Sequence, residues 1–252
     1  MDFLKYAENI FLDSVNTDIK KLIYPMDIKD AHYRVASRIK NASYLGGDIY
    51  NQMRDSNGNY WFAIGDASGH DINSHLFSMV LLVQMNYYIN IYDSPKQISN
   101  SINKDLEAKI VSDKSINLTS YASMAILKAD AEGNFIHYGQ HPNFIIYRKA
   151  EQKAEIISTC GKFIGLEVDK LENDSEDSFQ MQSGDIIFLF TDGIFEQKNK
   201  QGKYFGYKLY EFIDQLPNFD VEALADELFA KVHEFSNNQV DDDMTLLVIE
   251  KV

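Results

Sequence analysis

The chain opens on an amphipathic pattern. Phe3, Leu4, Ala7, Ile10, Phe11, Ser14, Val15, Leu22 and Ile23 recur at spacings of three and four, the repeat of a helix with one apolar face. Tyr24-Pro25 ends it, because proline has no N–H with which to continue the helical ladder. Residues 32–39 then alternate as a strand does, and after the turn Asp55-Ser56-Asn57-Gly58 the aromatic-rich residues 59–64 predict a second strand. Together they read as one hairpin-like unit, carrying Asp48 before its loop and Asp66 at its exit.

Between 72 and 92 the residues Leu76, Met79, Val80, Val83, Tyr87 and Ile91 make a helical face, and a second helix follows Pro95 to about residue 111. Strands are expected at 120–128, 134–138, 144–148, 154–158 and 185–190. Their short connections through Glu132-Gly133-Asn134, Pro142-Asn143 and Ala150-Glu151-Gln152 favour antiparallel pairing. Helices at 206–215 and 221–235 precede a last strand at 244–251, and the acidic stretch 167–177 reads as a solvated loop. Runs of strands interrupted by paired helices indicate α+β layering rather than strict strand–helix alternation. The expected organisation is an N-terminal amphipathic helix over 1–23, with a regulatory or linking role, and one domain over 24–252.

Composition narrows the function. With 252 residues, 45% hydrophobic and 25% charged, the chain is long enough to bury a large core. Its formal charge of −14 argues against nucleic acid or an anionic membrane surface as a main partner, since both attract basic faces. The single cysteine, Cys160, excludes an internal disulfide framework and suits a reducing compartment. The N-terminus lacks the basic, then apolar, pattern of a signal peptide, and the apolar run from Phe77 to Met85 is too short to span a bilayer. A cytoplasmic protein is expected.

Four glycine- and aspartate-bearing turns adjoin the apolar runs: Gly46-Gly47-Asp48, Gly65-Asp66-Ala67-Ser68-Gly69-His70, Thr191-Asp192-Gly193 and Asp241-Asp242-Asp243-Met244-Thr245. Any one of these is an ordinary turn former. Four carboxylate turns converging from distant positions are what a hard divalent cation needs, and the lack of Cys and His partners points to Mg²⁺ or Mn²⁺ rather than zinc. The glycines permit tight turns and close approach of backbone to an ion.

The order GGD, GDxSGH, a His-Pro turn at His141-Pro142, GDxxxxxTDGxxE and DDxTL resembles the SpoIIE/RsbU branch of the metal-dependent PP2C protein phosphatases, over nearly the whole chain from about Ile23. The resemblance implies a sandwich of two antiparallel sheets flanked by paired helices, and two Mn²⁺ or Mg²⁺ ions. It implies that Asp66 bridges both ions, that the Ala67 carbonyl and Asp48 hold one of them, and that Asp192 and Asp242 hold the other. His70, or His141, is a candidate proton donor to the leaving oxygen, and Glu196 a candidate for fixing the TDG turn. The implied activity is hydrolysis of phosphoserine or phosphothreonine on a bacterial signalling protein, typically an anti-sigma-factor antagonist with a STAS domain, by a metal-activated water. An activator protein or a homodimer formed through residues 3–23 would control it.

The alternative is a catalytically silent PP2C-like module that controls a partner by binding; the presence of all four aspartates disfavours it. Two departures from the family pattern, Asn73-Ser74-His75 after the GH pair and Gln140 before His141, bear on loop geometry and substrate fit rather than on metal binding. Arg34, Arg38 and Arg54 are the arginines near enough in sequence to be tested as a phosphate clamp.

Overall fold

The computed structural model describes residues 26–42, 46–69, 72–112, 121–166, 174–216 and 220–252. The amphipathic segment 1–23 and His70 lie outside them. The strands form two five-stranded sheets, and every ladder among the described residues is antiparallel. One sheet, A, runs in the order β1 (Tyr33–Lys40), β10 (Met244–Lys251), β9 (Ile186–Phe190), β6 (Phe144–Arg148), β7 (Lys153–Ile157). The other, B, runs β2 (Asp48–Arg54), β3 (Tyr60–Ala67), β4 (Ala122–Ala129), β5 (Asn134–Tyr138), β8 (Asp177–Gln180).

Alternate side chains of both sheets fill the space between them, as the two-residue period of a strand requires. Val35, Phe144, Ile187, Leu189, Leu247 and Ile249 enter from sheet A and meet Tyr50, Phe62, Ile64, Leu127 and Phe135 from sheet B. Burying each such side chain contributes about 1.5–3 kcal/mol relative to leaving it in water. The outer faces are covered by helices. On sheet B, α1 (Ile72–Ile89) and α2 (Pro95–Ser112) set Phe77, Leu81, Met85, Ile98 and Ile102 against Ile49, Trp61 and Met124. On sheet A, the short α3 (Asp192–Phe195), α4 (Gly206–Asp214) and α5 (Val221–Phe235) pack Ile194, Leu209, Leu224 and Leu228 on Phe188, Leu246 and Val248. Asp220 caps α5, accepting the Ala223 amide at 2.9 Å.

Three expectations change. The segments 32–39 and 59–64 are not a hairpin: β1 pairs with β10 in sheet A, while β3 pairs with β2 in sheet B. The sequence of β2, DIYNQMR, alternates Asp, Tyr and Gln on its inner side, so it carries no apolar period to announce it. The helical face of α1 is inverted. Leu76, Val80, Val83 and Tyr87 are 56%, 47%, 60% and 63% exposed, and the buried face is Ser74, His75, Phe77, Ser78, Leu81, Leu82, Met85 and Ile89. Both sides of this helix are apolar, so periodicity cannot choose between them; the small Ser74 and Ser78 let the buried side approach the sheet. Finally, part of the acidic stretch read as loop is followed at Asp177 by edge strand β8. Among the described residues no helix is long and apolar enough to cross a membrane.

Candidate metal centre

Strand alternation determines which aspartates face one another. Tyr50 and Ile64 point into the inter-sheet core, so Asp48 and Asp66, each two residues away, fall on the same side at one end of the sandwich. They are direct cross-strand partners. On sheet A, Leu189 and Leu247 point inward, which brings Thr191 and Thr245 to the same end. One carboxylate joins the two sheets there: Asp48 Oδ2 accepts the hydroxyls of Thr191 and Thr245, each at 2.7 Å. Asp48 is 2% exposed and both threonines are fully buried.

The glycines of the turns are dictated by close packing. A Cβ on Gly47 would lie 2.5 Å from the Ala67 carbonyl oxygen and 3.2 Å from Asp66 Oδ1, so this backbone sits against the same groups that the metal reading assigns as ligands. The Ala67 amide in turn donates to the Gly47 carbonyl at 3.1 Å. A Cβ on Gly193 would lie 1.9 Å from the Asp243 carbonyl oxygen, an overlap no side chain can accommodate. Asp243 itself is buried and accepts the amides of Gly47 and Ala42, both at 2.8 Å. It is therefore the peg that ties the GGD turn to the DDxT turn, a role its position beside Asp242 did not disclose. Asp241 and Asp242 are exposed.

The carboxylates of these turns act on one another. Burial, then the neighbouring carboxylates Asp192, Asp242 and Asp243, pushes Asp66 up to about 8. Burial and then Asp242 and Glu196 raise Asp192; burial and then Asp66 raise Asp48, against the two threonine hydrogen bonds that favour its charged form. A set of oxygen donors that repel one another on the edge of a low-dielectric core fits a hard divalent cation, whose charge offsets that repulsion. Among the described residues no three His, Cys, Asp or Glu side chains already stand at ligand spacing.

Other residues singled out in the sequence fall into place around this end. His70 lies outside the described residues. His141 is 3% exposed and burial lowers it to about 3, so it is a neutral imidazole rather than an imidazolium donor. Its Nδ1 meets Ser123 Oγ at 3.0 Å. Glu196 is the residue that closes α3 and one of the charges raising Asp192. The three arginines are engaged elsewhere: Arg38 with Asp226 (2.6 Å) and Glu222 (2.9 Å), Arg34 with Glu250 (3.3 Å), and Arg54 with the Gly58 carbonyl at the far end of β2. His75, which the sequence marked only as a departure from the family pattern, places Nδ1 2.9 Å from the Gly46 carbonyl and so joins α1 to the GGD turn. Cys160 is half-buried.

Comparison with known proteins gives a consistent result. The family model for stage II sporulation protein E (SpoIIE) matches residues 56–252. The chain is 25% identical over 214 residues to the stage II sporulation protein E of Priestia megaterium, covering 85% of this chain and 35% of that protein. It is 22% identical over 211 residues to the phosphoserine phosphatase RsbU of Bacillus subtilis (strain 168), covering 83% of this chain and 61% of that one. The chain thus spans about a third to three-fifths of the length of these relatives. In structure it is similar to the SiaA-PP2C domain of Pseudomonas aeruginosa, with a TM-score of 0.76, 14% identity and complete coverage of both chains.

Proposed function

Because the chain belongs to the SpoIIE family of PP2C-type phosphatases, we propose that it hydrolyses phosphoserine or phosphothreonine on a signalling protein, using two Mn²⁺ or Mg²⁺ ions held by its aspartate turns. The observation that carries this reading is the meeting of Asp48, Asp66, Asp192 and Asp242, from four separate strand ends, around a carboxylate pushed up to about 8 by burial and by its acidic neighbours.

Two divalent ions bound there would supply charge neutralisation for the phosphoryl oxygens and a nucleophilic water at neutral pH. The chain's own residues divide the remaining work. Asp66, on which the carboxylates of Asp192, Asp242 and Asp243 act, would be a ligand central to the site. Asp48 gives one carboxylate oxygen to Thr191 and Thr245 and would serve an ion through the other, directly or through water. The Ala67 carbonyl, against which Gly47 packs, adds an uncharged oxygen on that side. Asp192 and Asp242 would hold the second ion, with Asp243 holding the DDxT turn against the GGD turn. His70 is proposed as the group that shapes the substrate side of the loop, or donates a proton there.

The similarity to RsbU and to SpoIIE supports a phosphoprotein substrate in a partner-switching pathway, with a STAS-domain anti-sigma-factor antagonist as the proposed one. Residues 3–23 are proposed as the element through which an activator or a second copy acts, and deletion of residues 1–22 should then change oligomeric state or basal activity. The first test is hydrolysis of p-nitrophenyl phosphate and of a phosphothreonine peptide with Mn²⁺, Mg²⁺ or EDTA, beside Asp192→Asn. Metal-dependent turnover that is lost in the variant is the expected result. Absence of both turnover and metal binding in the wild type would refute the proposal in favour of a silent binding module.

A further inference from the structure

Asp66 has a second cross-strand partner besides Asp48. Across the β3–β4 ladder it stands opposite Ser123. Directly opposed residues of an antiparallel pair project to the same side with their Cβ atoms about 4.5–5.5 Å apart. Ala125 and Leu127, the next residues of that alternation, point into the inter-sheet core, so Ser123 faces the aspartate end on the side away from Asp48. It is half-buried, whereas its neighbours Ala122 and Met124 are closed off. The row across the end of sheet B is thus Asp48, Asp66, Ser123.

Behind Ser123 stands His141, buried, with Nδ1 3.0 Å from the serine hydroxyl. Its Nε2 is also buried, without a hydrogen-bond partner, and the Phe190 backbone lies close enough to act on the ring. Phe190 is the last residue of β9, two before Asp192. The histidine is anchored from a third direction, because its carbonyl accepts the Thr159 hydroxyl.

We infer that Ser123 and His141 are a positioning pair for the metal centre: His141, buried between the strand that carries Ser123 and the strand that leads to Asp192, holds the Ser123 hydroxyl beside the Asp66 carboxylate, where it orients a water. This rests on the metal reading proposed above and deepens it. Outer groups that orient ligands and their waters commonly contribute 10- to 100-fold to metal affinity or activity.

The test is Mn²⁺ affinity by titration calorimetry without substrate, together with kcat and KM for p-nitrophenyl phosphate, on wild type, Ser123→Ala, Ser123→Thr, His141→Asn and the Ser123→Ala/His141→Asn double variant. Ser123→Ala is half-exposed and removes one oxygen, so its fold should persist, as circular dichroism will check. The expected result is Mn²⁺ affinity weakened about tenfold or more and kcat lowered with KM little changed. Ser123→Thr should restore both, and the double variant should be no weaker than the weaker single one. Wild-type affinity and kcat in Ser123→Ala would overturn the assignment while leaving the metal centre standing. Additive losses in the double variant would overturn the pairing of the two residues. A wild type that binds no Mn²⁺ would remove the metal reading itself and this inference with it.

Discussion

Thr191 and Thr245 both donate to the same oxygen of Asp48, yet they should not be equally important. Replacing either by valine keeps the shape and deletes a hydroxyl. Thr245→Val loses one hydrogen bond to a buried carboxyl group, about 1–3 kcal/mol. Thr191→Val loses the equivalent bond and something more, because Thr191 Oγ1 also accepts the buried Thr245 amide at 2.9 Å. Leaving that amide without its acceptor adds about 1–3 kcal/mol. The second substitution should therefore cost roughly twice as much as the first. For a chain of this size each kcal/mol is roughly 2–4 °C in Tm, so the gap is measurable by thermal or urea unfolding in EDTA, which keeps metal binding out of the comparison. Combining each variant with Asp48→Asn separates the shared term: the Thr245 effect should shrink towards that of a neutral pair, while the extra cost of Thr191 should persist. Equal losses for the two valine variants, or a larger loss for Thr245→Val, would refute the argument that Thr191 is the relay between the carboxylate and the β10 backbone.

Three further outcomes are expected. Asp66→Asn should abolish turnover and Mn²⁺-dependent stabilisation while raising the Tm of the metal-free protein near pH 7, because the wild-type carboxyl must take up a proton on folding to sit among its acidic neighbours and asparagine need not; a fall in metal-free Tm would contradict this. Gly193→Ala should destabilise the fold by at least about 1–3 kcal/mol and weaken Mn²⁺ binding, since its Cβ would overlap the Asp243 carbonyl at 1.9 Å. Gly202→Ala, which meets nothing within 4 Å and is opposed only by its φ of +72°, should cost less in urea unfolding and leave metal binding unchanged. His137 is buried with its pKa held below the ordinary 6.5 by desolvation, against the opposing influence of Asp177 and Glu176. The unfolded chain therefore binds more protons, and this contribution to stability is whole above about pH 7 and declines as pH falls through 6.5. His137→Phe, flanked by Phe144 and Phe179, should flatten part of that decline in denaturation curves between pH 7 and 5; an unchanged slope would refute it.

The sequence was most informative where a residue type answers a local demand. The glycine–aspartate turns were visible because few residues fit such tight approaches, and α5 and β10 were bounded correctly because their patterns are regular and their ends are marked. It failed where the deciding interaction is tertiary. The strand β2 was missed because Asp48, Asn51 and Gln52 are polar residues buried by partners distant in sequence: Thr191, Asn86 and Asp27 among them. The orientation of α1 depended on which of two apolar faces the sheet would accept. Asp243 stands in the DDxTL motif without a role the motif discloses, and Ser123 stands in no motif; only the tertiary fold puts one on the Gly47 amide and the other opposite Asp66.

The position of β10 has a consequence for biosynthesis. This strand comes after all the other strands in the chain, yet it is inserted between β1 and β9, and within sheet A β1 pairs with β10 alone. While the chain is being translated, β1 must wait for more than two hundred residues before its neighbour exists. Asp242, Asp243 and Thr245 arrive with that neighbour, so a ribosome-bound chain halted just before them has three of its four aspartate turns and no completed centre. Assembly of the site is thereby deferred until β10 has been made, and a product truncated before it would lack the completed centre as well as a central strand of sheet A.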